Sequence, residues 1–160
     1  MKSKDFCDES VKEQLHIFCD ATTVFLRVHY EDFVSVQLIQ GKARVAPIQK
    51  MTIPRLELMG CVIGARLGNT IHNTLSTKVP CFYWTDSTTA LSWINRNDEW
   101  GTFVGNRVRE ILTLSSTNGW RYIPGKFNPA DLSSRGCSPK ELLESKWWEG
   151  PGWLKLSEDQ

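Results

Sequence analysis

The sequence predicts an α/β fold: a mixed five-stranded sheet, three antiparallel strands followed by two further strands, flanked by helices. Two observations carry this reading. Three short β-favouring runs crowd residues 14–39, and from Thr52 onward helical and strand patterns alternate. A third observation gives the fold a purpose. Two strand-like runs end on a carboxylate, Asp20 after Leu15-His16-Ile17-Phe18-Cys19 and Asp86 after Phe82-Tyr83-Trp84-Thr85. An acid at the C-terminal edge of a strand points at whatever binds there.

The first strand is expected over residues 14–20, where Ile17 and Phe18 favour extended backbone. Val24–Tyr30 and Phe33–Ile39 follow, separated by Glu31-Asp32 as a turn, so the three should form an antiparallel meander. After a basic stretch with Lys42, Arg44 and Lys50, Thr52-Ile53-Pro54 opens a helix with proline in its first turn, where a missing N–H costs little. Leu56, Met59, Ile63, Leu67 and Ile71 form its apolar stripe. A second stripe holds Glu57, Gly60, Gly64 and Gly68. Each helical glycine costs up to about 1 kcal/mol relative to alanine, so three on one face imply close backbone packing beside a carboxylate.

Val79–Thr85 is the fourth strand, apolar enough to be buried on both faces. Ser87–Asn95 and Gly101–Leu114 are expected helices, Trp120–Ile123 the fifth strand, and Pro124-Gly125 its stop. Asn128 then reads as an N-cap, Pro129 as the first helical residue and Gly136 as the terminator, which puts Asp131 in the first turn near the positive end of the helix.

The chain has 160 residues, enough for one domain with a single core. The expected organisation is an extension over 1–13, the domain over 14–136 and a Trp-rich segment over 137–160. With a formal charge of +1, any contact with nucleic acid has to come from a local basic surface. No apolar run approaches the roughly 18 residues of a membrane span, and Met1-Lys2-Ser3-Lys4-Asp5 lacks the apolar core of a signal peptide, so the expectation is an intracellular protein of the cytoplasm or nucleus, without membrane contact. Five cysteines without a Cys-x-x-Cys pair fit reduced thiols better than disulfides or zinc. The three histidines have no ligand spacing. Trp93 and Trp100 suit the core, and Trp147, Trp148 and Trp153 suit a segment that folds back on the domain or meets a neighbour.

Val45-Ala46-Pro47, Thr52-Ile53-Pro54-Arg55-Leu56-Glu57-Leu58, Trp84-Thr85-Asp86-Ser87 and Ile123-Pro124-Gly125-Lys126-Phe127-Asn128-Pro129-Ala130-Asp131-Leu132-Ser133-Ser134-Arg135-Gly136 resemble, together, the ribonuclease H domain of BEL/Pao-type LTR retrotransposon polyproteins. Trp147-Trp148-Glu149-Gly150-Pro151-Gly152-Trp153-Leu154 resembles the segment that leads toward the integrase region. The resemblance implies a ribonuclease H-like fold and an endoribonuclease that hydrolyses the RNA strand of RNA–DNA hybrids with two Mg²⁺, or Mn²⁺ in their place. It also implies a parent polyprotein with reverse transcriptase and integrase regions. By that match Asp20, Glu57, Asp86 and Asp131 are the catalytic and metal-binding residues, Asp20 bridging. Their all-oxygen chemistry suits hard cations. Singly, each acid has an ordinary role as a turn former, loop acid or first-turn acid. Phosphate contacts are expected from Lys42, Arg44, Lys50, Arg55, Arg121, Lys126 and Arg135.

One departure from the family sets up a second reading. An Ala-Tyr-Gly-like stretch usually follows the first aspartate, whereas here Asp20-Ala21-Thr22-Thr23 runs straight into Val24. A tight hairpin wants Gly, Asn or Asp at positive φ. Ala-Thr-Thr offers none, so the expectation is a shifted or frayed first strand pair and a displaced Asp20. On that reading the chain is a catalytically impaired remnant, at most a nucleic-acid-binding module. An aspartic peptidase is disfavoured, because Asp86-Ser87-Thr88 lacks the glycine of Asp-Ser/Thr-Gly.

Overall fold

A computed structural model describes residues 11–44, 51–75, 78–145 and 147–156. Strands β1 (Lys12–Phe18), β2 (Thr22–His29) and β3 (Val34–Lys42) form the antiparallel meander. Helix α1 (Ile53–Thr74) leads to β4 (Cys81–Thr85), and helices α2 (Thr88–Asn95) and α3 (Thr102–Leu114) lead to β5 (Trp120–Tyr122). Short helices α4 (Ala130–Arg135) and α5 (Pro139–Glu144) follow. The sheet order is β3-β2-β1-β4-β5, with β1, β4 and β5 mutually parallel. Among the described residues no helix is long and apolar enough to cross a membrane.

Side chains alternate along β1, so Leu15 and Ile17 enter one layer while His16 and Phe18 enter the other. The first layer is the main core, where α1 and α3 bring Leu58, Val62, Ala65, Val108 and Ile111 against the sheet, with Trp93 and Trp100 packed at its edge. The second holds Phe18, Phe25, Ile123, Ala130 and Leu154. Its outer cover is the C-terminal segment. Trp153 stands edge-on to Trp84 with ring centroids 4.9 Å apart, and the buried Arg27 donates to the carbonyls of Leu154 and Leu156, both at 2.9 Å.

The connection after Asp20 is the main correction to the sequence reading. The β1–β2 ladder is continuous from Lys12↔His29 to Phe18↔Thr23, neither shifted nor frayed. Asp20 itself takes the positive φ, 142°, that Ala-Thr-Thr cannot supply. That φ lies beyond the left-handed region where asparagine and aspartate are common, so the turn closes at a cost in backbone strain. At α4 the cap also shifts: Pro129 is the residue before the helix, and the Asn128 side-chain oxygen accepts from the Ala130 N–H at 3.1 Å. Gly136 ends the helix with φ 77°, as expected.

Candidate active site at the carboxyl edge of the sheet

Parallel pairing of β1 with β4 sets Phe18 opposite Trp84, and each strand places its aspartate two residues beyond that pair. The Cys19 N–H donates to the Trp84 carbonyl at 2.8 Å, and the Ile123 N–H to the Thr85 carbonyl at 3.0 Å. The strand ends carrying Asp20 and Asp86 are thereby held side by side, at the edge where open α/β sheets bind ligands.

Helix α1 crosses this edge closely. A Cβ on Gly60 would lie 3.1 Å from the Asp20 Cα and 3.2 Å from its carbonyl oxygen. Farther along, a Cβ on Gly64 would collide with Cys19 Sγ, and one on Gly68 would lie 2.8 Å from the Tyr83 hydroxyl. The glycine stripe is therefore the surface on which α1 meets the strands. Glu57, one turn before Gly60, accepts the Ser87 hydroxyl at 2.5 Å. Ser87 also caps α2 by accepting from the Ala90 N–H at 3.0 Å, so one residue fixes both the helix start and the Glu57 carboxylate.

Asn128 joins the last acid to the first. Its side-chain N–H donates to the Cys19 carbonyl at 2.9 Å while its oxygen caps α4, tying the helix that bears Asp131 to the residue before Asp20. The loop before it runs against Asp86, whose Oδ2 would lie 3.0 Å from a Cβ on Gly125. The positioning roles of Ser87 and Asn128 show in the sequence only as capping signals.

The four acids share one electrostatic environment. Burial raises the Asp20 carboxyl above its ordinary value; a Ser134 hydrogen bond opposes this, and the negative charges of Asp131 and Glu57 add to it. Burial likewise raises Asp86, a backbone hydrogen bond opposes it, and Asp20, Glu57 and Asp131 push further upward. Glu57 and Asp131 carry protein partners as well: Glu57 holds Ser87, and Asp131 takes the Arg135 guanidinium at 2.7 Å. Among the described residues no three His, Cys, Asp or Glu side chains are grouped closely enough to hold one metal ion.

The cations are distributed around this edge. Lys42 pairs with Thr22 at the sheet end that carries Asp20, and Arg44 is exposed just beyond it. Lys126 lies over Phe127, 4.8 Å from the ring centroid, whereas Arg121 turns back toward the amino ends of the strands, over Phe82 at 5.4 Å and donating to the Asn118 carbonyl at 2.8 Å. A cavity of about 880 Å³ opens beside Asp131, lined by Lys126, Phe127, Arg135, Trp147 and Trp153 among others. Arg55 sits apart from these, on the Phe103 ring. Lys50 and the Val45-Ala46-Pro47 motif lie outside the described residues.

No curated protein matches the chain. The family model described as the Pao retrotransposon-like RNaseH-like domain matches residues 4–87, a span that includes Asp20, Glu57 and Asp86, and the chain belongs to that family.

Proposed function

We propose that the chain hydrolyses the RNA strand of RNA–DNA hybrids at the edge formed by Asp20, Glu57, Asp86 and Asp131. The observation that supports it best is the parallel β1–β4 register, which puts Asp20 and Asp86 two residues beyond one paired position, where burial first and the charges of the other acids second raise both carboxyls. Like charges gathered at a strand edge are stabilised by a bound cation, and the oxygen-only donor set fits Mg²⁺ or Mn²⁺ in kind. Asp20, Glu57, Asp86 and Asp131 would hold the ions, with Glu57 and Asp131 giving up Ser87 and Arg135 as partners. Paired divalent ions, when bound, activate a water and stabilise the departing oxygen of a phosphodiester. The chain's own part is placement. The strand ladder fixes Asp20 against Asp86, Ser87 orients Glu57, and Asn128 anchors the helix of Asp131.

A second reading, a nucleic-acid-binding module without turnover, is favoured by the engagement of Glu57 and Asp131 with protein groups. One experiment separates the two. Purified chain is incubated with end-labelled RNA–DNA hybrid and Mg²⁺ or Mn²⁺, with EDTA as control and Asp86→Asn as the matched variant. The first reading expects cleavage that EDTA and Asp86→Asn both abolish while the variant stays folded. Binding without cleavage selects the second, and equal cleavage by wild type and variant marks a contaminating nuclease.

A further inference from the structure

Two arginines share one aromatic ring. The guanidinium carbon of Arg107 lies 4.5 Å from the Phe103 centroid and that of Arg55 lies 5.1 Å from it. A single cation over a ring is commonplace. Two are not, because sharing a ring keeps both charges within about one Debye length, roughly 10 Å at 0.1 M salt, where they repel. Neither arginine makes an ion pair or side-chain hydrogen bond among the described residues. Glu110, one turn along from Arg107, is taken by Arg66 at 2.5 Å. Neither α1 nor α3 has an acid in its first turn.

The pair is also well placed. Arg55–Phe103 and Arg66–Glu110 are successive contacts along both helices, so α1 and α3 run side by side in the same sense with their first turns together. Arg55 and Glu57 are two residues apart, about 3 Å along the helix axis, and project from different sides of α1, so the ring lies on the α3 side of the same helix end that carries the carboxylate.

We infer that Arg55 and Arg107, held on Phe103, form a clamp for a backbone phosphate of the nucleic-acid strand whose next phosphates reach the carboxylate edge. An anion bound by both guanidiniums offsets their repulsion and accepts from donors that have no protein acceptor among the described residues. The flat ring holds both planes in place, so little side-chain freedom is lost on binding. The clamp rests on the nucleic-acid reading above and adds Arg107 and Phe103 to it; it is independent of turnover.

Binding of the full chain to a fluorescent RNA–DNA hybrid in EDTA, measured by anisotropy over a series of KCl concentrations, tests it. Arg107→Gln and Arg55→Gln should each weaken binding roughly three- to tenfold at 0.1 M salt and lower the slope of log K against log salt by about one. Phe103→Leu, which keeps both charges, should weaken binding with the slope unchanged. Arg109→Gln, an exposed arginine on the same helix bonded to Asn106, should leave both unaltered. Thermal melts check that each variant folds; if Arg107→Gln does not, the exposed Arg55→Gln carries the test. Folded arginine variants with wild-type affinity and slope overturn the clamp alone. A wild type that binds no hybrid sinks the nucleic-acid reading together with it.

Discussion

The backbone of Asp20 sits at φ 142°, a region costing a non-glycine residue about 1–3 kcal/mol, and its carboxylate is held beside other negative charges. Both features disfavour the folded state without a cation, and the second can be tested by pH. The folded Asp20 takes up a proton at higher pH than the unfolded chain does. Between the two values the native state binds more protons, so stability falls as pH rises through the folded value, and the full deficit is present at neutral pH. Asp20→Asn removes the charge and keeps the shape. It should raise the melting temperature by a few degrees at pH 7 in EDTA, with a difference from wild type that shrinks toward pH 4. His16 works in the opposite sense: burial, helped by Arg27, pushes it down to about 3. The unfolded chain protonates this histidine first, so wild type and variant alike lose stability across that window, and the loss cancels between them. An Asp20→Asn variant no more stable than wild type at pH 7 would show that neither burial nor the neighbouring acids penalise the ionised carboxylate.

At the scale of elements, α1 is held to the sheet through its glycines. Gly→Ala inside a helix gains up to about 1 kcal/mol of propensity. Here the added methyl group would meet the Tyr83 ring and hydroxyl at position 68 and the Asp20 backbone at position 60. Overpacking of this kind costs typically about 1–3 kcal/mol, so Gly68→Ala should lower stability by about 1–2 kcal/mol in urea titrations. Gly60→Ala should shift Asp20 as well, and an amide spectrum with changes centred on Asp20 would report it. A stabilised Gly68→Ala would mean the helix can move off the sheet at little cost. This packing was legible in the sequence, because glycines at helical spacing beside Glu57 weaken a helix unless another element packs directly on them. So were the order and kind of every strand and of the four helices through Arg135, since their periodicities and caps are local. The turn after Asp20 was not. Its conformation depends on one residue accepting an unfavourable φ so that a seven-pair ladder can close, a balance between local strain and tertiary pairing that no local signal records. Arg107 and Phe103 escaped for a similar reason: they meet Arg55 only because α1 and α3 lie side by side.

Over the whole molecule, the sheet needs a layer on each face, and the C-terminal segment supplies one of them. The Trp-rich run reads in the sequence as a stretch that either folds back or meets a neighbour. Its partner could not be read there, because Arg27 is an ordinary alternate position in β2 until its burial is seen. At 4 % exposure that guanidinium is satisfied by carbonyls of residues 154 and 156 and by Gln14 at 3.1 Å. Removal of the segment would leave a buried charge short of acceptors and uncover Phe18 and Phe25, a combination worth more than the loss of either contact alone. Leu154→Ala, at a side chain 1 % exposed, should cost about 2–5 kcal/mol by denaturant unfolding. Trp148→Ala, at 49 % exposure, should cost far less. Truncation after Gly150 should destabilise beyond Leu154→Ala and broaden or abolish the cooperative transition. Because Trp153 and Asp131 line the same cavity, the truncated chain should also lose metal-dependent stabilisation if the carboxylate edge holds cations. A truncated chain that unfolds cooperatively at the wild-type midpoint would make the segment a tail resting on a complete domain.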